Sequence, residues 1–224
     1  VWIRARLGAA GLRALLVGLI GSLLGGLLTG PAIAGNQRLE PLAAAVRSAL
    51  AAAVHERSAP QPIFASSREE ADWMLRMSAR LPARHQPTAV ERSEFLRMVR
   101  YEAQRAGLDP HLVLALIQVE SGFRRHAISS AGARGYMQVM PFWTELIGDG
   151  DPSRLFDAQT NLRYGCVILR HYLDRENGDL FRALGRYNGS LGRPEYPNAV
   201  AAAWRRWSED TASPVPAVQM AAQR

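Results

Sequence analysis

From residue 67 to residue 207 the chain is a succession of helix signals, with no sustained period-2 alternation. Ser67 with Glu70 and Thr88 with Glu91 read as capping boxes. They open SREEADWMLRMSARL and TAVERSEFLRMVRYEAQRAG, the second stopping at Gly107. Asp109-Pro110 offers an N-cap and a first-turn proline for HLVLALIQVE. TNLRYGCVILRHYLDRE carries Leu162, Cys166, Leu169 and Tyr172/Leu173 on one stripe, and DLFRALGRYNG and AVAAAWRRW follow. The pattern predicts an all-α domain over residues 67–207, a common domain size.

The flanks have a different character. Residues 1–34 hold Arg4, Arg6 and Arg13, then the apolar run Ala14–Leu28, then Ala32-Ile33-Ala34. Positive start, short apolar core and A-x-A site are the parts of a secretory signal peptide. The alternative is a retained anchor, although the run is shorter than the ~20 residues that span a bilayer. No Cys follows the site, so a lipoprotein signal is not expected. The expected location is the periplasm, with no stable membrane anchor once the leader is cut. Residues 35–66 are Ala-rich, then Pro- and Ser-containing, and predict one helix (Leu39 to Glu56) followed by a linker. Residues 208–224 have the composition of a disordered tail.

Charge and cysteine content exclude several chemistries. All 27 basic residues are Arg, which excludes a P-loop lysine and Schiff-base catalysis. The single Cys excludes an intrachain disulfide and any multi-Cys metal site. Cys166 lies on an apolar stripe and reads as a buried, inert thiol. Without the leader, 24 Arg face 20 acids, a net of +4. An exported chain of modest positive charge is expected to meet an acidic envelope polymer. No basic cluster with interleaved aromatics points to nucleic acid.

Chemistry concentrates in DPHLVLALIQVESGFRRHAISSAGARGYMQVMPFW. On a helix from Pro110, Val113, Leu116, Ile117 and Glu120 share a face. Burial and the helix's negative end would both disfavour the Glu120 anion, as a general acid near neutrality requires. A glutamate solvated just past the last packed turn fits the same periodicity. SSAGARGYMQVMP then reads as a loop in which Gly132 and Gly135 permit tight turns and close backbone approach to a ligand. Gln138 adds an amide able to read hydroxyl or acetamido groups. Met137 and Met140 fit core packing by their residue type.

Four segments in this order, ALIQVESGF, SSAGARGYMQVMP, FDAQTNLRYGCVILRHYL and ALGRYNGSLG, resemble the SLT-type lytic transglycosylases of bacterial peptidoglycan, over about Tyr101 to Val200. The resemblance implies a lysozyme-like, mainly helical fold with a substrate groove for peptidoglycan glycan strands, and no metal or cofactor. It implies Glu120 as the single catalytic acid/base, with Ser121 beside it near the substrate's acetamido group. It implies Met137 and Gln138 lining the groove, and Tyr187 and Asn188 near the reacting sugar. Tyr136 stands where the family has Leu, and Gly185-Arg186 where it has small residues, so subsite detail departs from the pattern. The implied reaction cleaves the MurNAc–GlcNAc bond without water and leaves a 1,6-anhydro-MurNAc end.

Two alternatives remain at this level. A muramidase-type hydrolase needs a second carboxylate, for which Glu145, Asp149, Asp151 and Asp157 are candidates, though Asp149 and Asp151 fit turns better. A non-catalytic wall-binding or scaffolding module of an envelope machine needs no acid on an apolar stripe. His111 and His126 read as packing or surface residues, and core packing is expected for at least two of Trp143, Trp204 and Trp207.

Overall fold

The structure is a computed structural model that describes residues 37–56, 61–86 and 88–208. The leader expected at residues 1–34 and residues 209–224 of the tail lie outside the described residues. Eight α-helices run in chain order: α1 (Ala44–His55), α2 (Ser67–Arg80), α3 (Ala89–Arg105), α4 (Pro110–Ser121), α5 (Phe142–Ile147), α6 (Ala158–Arg175), α7 (Leu180–Asn188) and α8 (Glu195–Ser208). A 3-10 turn, Pro152–Phe156, precedes α6. Among the described residues there is no strand beyond two isolated bridges, Ile128 with Arg134 and Arg134 with Val139. The all-α expectation holds.

The caps explain most helix starts. Thr88 and Glu91 form the reciprocal box that the sequence predicts, and Asp109 caps α4 ahead of Pro110. The first box is shifted by one residue. Ser66, not Ser67, accepts from the Glu69 amide at 3.1 Å, and the Glu69 carboxylate turns back to the Ala65 amide at 2.5 Å. Two adjacent serines before two adjacent glutamates make the register ambiguous from sequence. The start of α8 also differs: it begins at Glu195, four residues before the expected Ala199, with Pro197 in its first turn. Proline is tolerated there because first-turn amides have no intrahelical partner. Ser208, assigned above to the tail, closes α8.

α4 is the axis of the core. Leu112 to Ile117 are all buried, so its apolar surface runs all round rather than along one stripe. A helix that is apolar on every side sits inside, and α4 packs on α8 and α3. Each large side chain so buried contributes about 1.5–3 kcal/mol. α6 forms a second axis against α3, α7 and α1. α1 lies within the span expected for a helix, packs on α5 and α6, and adds Val54 to the core.

Where α3 crosses α6, a charge is buried. Glu102, 1% exposed, accepts from Arg163 Nε and Nη2 at 3.1 and 2.8 Å and from Arg105 Nε at 3.1 Å. Arg105 also pairs with Glu56, and Arg163 donates to the Glu56 carbonyl, tying in the end of α1. Cys166 lies near this cluster, fully buried, and burial pushes its thiol well above the usual range. That is the inert thiol predicted from its stripe.

Candidate active site

α4 ends at the site. Its last turn carries Glu120 and Ser121, and Gly122 stops it in the left-handed region at φ 57°. Glu120 is 1% exposed, so the solvated alternative left open by periodicity is excluded. The Tyr196 hydroxyl donates to Glu120 Oε1 at 2.5 Å. Tyr196 is buried on the first turn of α8. Burial first, then the Glu120 charge, raises the Tyr196 phenol well above its ordinary value. The same two causes, in that order, raise Tyr187. Both phenols therefore stay protonated, and both feel the Glu120 carboxylate.

Tyr187 sits on the last turn of α7 with no exposure, and its hydroxyl donates to the Met137 carbonyl at 2.8 Å. That bond joins α7 to the hairpin of residues 128–139. Met137 is itself in the core, as its residue type suggested, and its amide donates to Asn161 Oδ1 at 2.8 Å. Asn161 Nδ2 donates to the carbonyls of Arg134 and Leu155 at 2.9 and 2.8 Å. One buried amide on α6 thus pins three backbone groups. Two glycines make room. A Cβ at Gly135, φ 77°, would strike Asn161 and the Leu155 carbonyl, and one at Gly165 would strike the Met137 side chain.

Gln138 also lies at positive φ, 49°, a conformation costing a non-glycine residue about 1–2 kcal/mol. Its Nε2 donates to the carbonyls of Gly135 and Ala127 at 2.9 and 3.2 Å, which offsets that strain. The Ser121 hydroxyl donates back to the Ile117 carbonyl at 3.2 Å. Asn188 is 1% exposed beside the Gly189 cap of α7. Glu120, Ser121, Met137, Gln138, Tyr187 and Asn188 are all buried. The recorded bonds of Ser121, Met137 and Gln138 brace the backbone of the wall beside Glu120.

The candidate second carboxylates are placed elsewhere. Asp151 caps the 3-10 turn and Asp157 caps α6. Asp149 accepts from the Asp151 amide and pairs with Arg154. Glu145 is exposed on α5. The indole N–H groups of Trp143, Trp204 and Trp207 donate to Gln37, Asp109 and Gln118, and all three rings pack in or on the core. His111 accepts from the Trp73 indole at 3.0 Å. Among the described residues, no three His, Cys, Asp or Glu side chains come together as a metal would require.

Sequence reasoning missed Tyr196 and Asn161. Asn161 lies inside a recognised segment but carries no local signal. Tyr196 stands ahead of the expected start of its helix, between Pro194 and Pro197, where a turn seemed to be.

Comparison with known proteins adds the class. Residues 97–207 match the family model of the transglycosylase SLT domain. By that domain the chain belongs to the SLT-type lytic transglycosylases. It is similar to the membrane-bound lytic murein transglycosylase C of Haemophilus influenzae (strain PittEE), 33% identical over 118 residues, covering 46% of this chain and 33% of that protein. The protein of the same name from Sodalis glossinidius is 34% identical over 114 residues, covering 44% of this chain and 32% of its own. The chain thus matches about a third of the length of these relatives. Among solved structures it is similar to an inactive mutant of lytic transglycosylase Slt from Pseudomonas aeruginosa. That match has 23% identity and a TM-score of 0.49, and covers 62% of this chain and 26% of that one. No described helix is long and apolar enough to cross a membrane.

Proposed function

We propose that this protein is an exported peptidoglycan lytic transglycosylase with Glu120 as its single acid and base. The reading rests on one observation above the rest: a carboxyl buried at the end of the central helix, hydrogen-bonded by Tyr196 and flanked by Tyr187. Low polarity around it disfavours the anion and favours a proton donor. Neutral Glu120 protonates the glycosidic oxygen between MurNAc and GlcNAc, and the bond to C1 breaks with an oxocarbenium-like centre left behind. The carboxylate so formed removes the proton from the muramyl 6-hydroxyl, whose oxygen attacks C1. The products are a 1,6-anhydro-MurNAc end and a free GlcNAc 4-hydroxyl, with no water consumed and the carboxyl reprotonated. Because the nucleophile belongs to the same sugar, proximity replaces the activated water of a hydrolase.

A hydrolase would need a second carboxylate opposite the first. Glu145, Asp149, Asp151 and Asp157 occupy exposed or capping positions instead, which supports the single-acid route. The periplasm, where the wall polymer lies, is the compartment proposed, reached through the leader at residues 1–34. Digestion of purified peptidoglycan, analysed by mass spectrometry beside Glu120→Gln, tests the reading. Anhydro ends that vanish in the variant support it, and reducing ends would replace it with hydrolysis.

A further inference from the structure

A cleft of about 590 Å³ opens where the α2–α3 connection faces residues 124–128. Glu120 does not line it, but the cleft adjoins the wall beside Glu120 through three links. Arg124 Nε donates to the Ser121 carbonyl at 2.8 Å. The carbonyl of Ala127, a lining residue, receives the Gln138 amide at 3.2 Å. Tyr136, also lining, immediately precedes Met137.

The charge in this cleft is mixed. Arg84, Arg124, Arg125, His85 and His126 face Glu91 and Glu94. Several of these are engaged. Glu91 is held by the Thr88 amide and hydroxyl at 2.9 and 2.7 Å, and Arg125 donates to the Phe156 carbonyl. Arg84 donates to the His85 imidazole at 3.0 Å, and Arg124 to the backbone already named. Neither has a carboxylate within ion-pair distance among the described residues, and both are exposed. They act on one space: burial first, then Arg84, then Arg124, holds His85 below the ordinary imidazole range. Glu94, exposed, supplies negative charge on the same wall, and Phe95 and Met98 give it apolar surface.

A polyanion such as a nucleic acid or a polyphosphate would be repelled by the two glutamates. The wall suits a small ligand bearing carboxylates, an ammonium and short apolar side chains. The peptide stems of peptidoglycan have that chemistry and are covalently joined to the glycan that Glu120 would cut. We propose that this cleft binds the stem peptide, with its carboxylates on Arg84 and Arg124, its free ammonium toward Glu94, and its alanine methyls on Phe95 and Met98. The assignment rests on the reading of Glu120 as a wall-cleaving acid.

The full chain and its Arg84→Gln variant are compared on peptide-bearing glycan strands and on strands stripped of peptide by an amidase. Arg84 is exposed, so its loss leaves the fold intact. The wild type is expected to show a lower KM for peptide-bearing strands. Arg84→Gln is expected to raise that KM roughly tenfold, as for one lost charge-assisted pair, and to leave stripped strands unaffected. An equal KM for both substrates, or an equal effect of the variant on both, overturns the cleft assignment while leaving the transglycosylase reading in place. If neither substrate is cut, the reading of Glu120 has failed, and direct titration decides the cleft. The tetrapeptide L-Ala-γ-D-Glu-meso-diaminopimelyl-D-Ala should then shift the resonances of His85 and Tyr136 at millimolar concentration. No shift, or the same shift from inorganic phosphate alone, overturns it.

Discussion

Two glutamates, Glu102 and Glu120, are each 1% exposed in the same helical core, yet they are equipped for opposite ends. Glu102 is surrounded by cations: two bonds from Arg163, one from Arg105, and the Gln159 amide at 3.4 Å. Such an environment compensates the desolvated anion and fixes it as an anion. Glu120 receives a phenol from Tyr196 and lies among residues bonded to backbone. A phenol can stabilise the anion without supplying a positive charge, so the carboxyl can change protonation state at moderate cost. Burial alone does not mark a catalytic acid; the charge of its neighbours separates a structural carboxylate from a reactive one.

The largest test of that contrast is Glu120→Gln. The amide keeps size and polarity, so folding should persist, while anhydro-product formation falls by about 10³-fold, the scale of a lost general acid. A variant that retains activity would remove Glu120 from the chemistry. The opposite pattern is expected of the other glutamate's partner. Arg163→Met leaves Glu102 with an incompletely compensated buried charge and should cost about 3–5 kcal/mol of unfolding free energy. Activity per folded molecule should stay near wild type, measured by denaturant melts beside a saturating assay. A specific loss of kcat without loss of stability would break the division between the two sites.

Tyr196→Phe sharpens the comparison at smaller scale. The hydroxyl is a donor to the carboxylate, worth about 1.5–3 kcal/mol for a bond to a charged group, so kcat should fall roughly 10- to 100-fold. Tyr196 acts here as a positioning residue, and a second readout separates that role from packing. Removing a donor disfavours the anion and raises the pKa of the acid. The alkaline limb of the kcat/KM profile, where protonated Glu120 is lost, should therefore move to higher pH. A fall in rate with an unmoved limb would assign Tyr196 to packing alone.

The sequence made one half of each arrangement legible. Glu120 was visible because it occupies an apolar stripe spaced at helical intervals from Val113, Leu116 and Ile117, and because its neighbourhood matches a family pattern. Its partner Tyr196 lies 76 residues away, on a first turn disguised by Pro194 and Pro197. Glu102 was passed over for the same reason: Arg105, three residues on, is a local neighbour, whereas Arg163 is 61 residues distant. Asn161 pins the hairpin through backbone groups that carry no side-chain signature. Caps and stripes are written in short windows, and Thr88, Asp109 and the αL glycines were read from them. Pairings across the core depend on which helices meet, and no single window records that.

The smallest effect concerns the start of the helix that delivers Glu120. Asp109 caps α4 by accepting from the His111 amide at 2.8 Å, and its second oxygen accepts the Trp204 indole N–H of α8 at 2.7 Å. Burial by itself would raise this carboxyl; the His111 side chain and amide, with Trp204, outweigh it and hold the pKa below the ordinary aspartate value. A depressed folded pKa means that the stabilisation is present above the unfolded value and is lost as pH falls through the folded one. Asp109→Asn keeps a capping oxygen but removes the charge. With the side chain 37% exposed, screening limits the loss to about 1 kcal/mol at neutral pH. The difference between the two proteins should shrink as pH falls below about 4 and vanish once Asp109 is protonated in the folded state. Chemical melts across that range read it directly. A difference that persisted into strong acid would show that the geometry of the cap, not its charge, joins the start of α4 to α8.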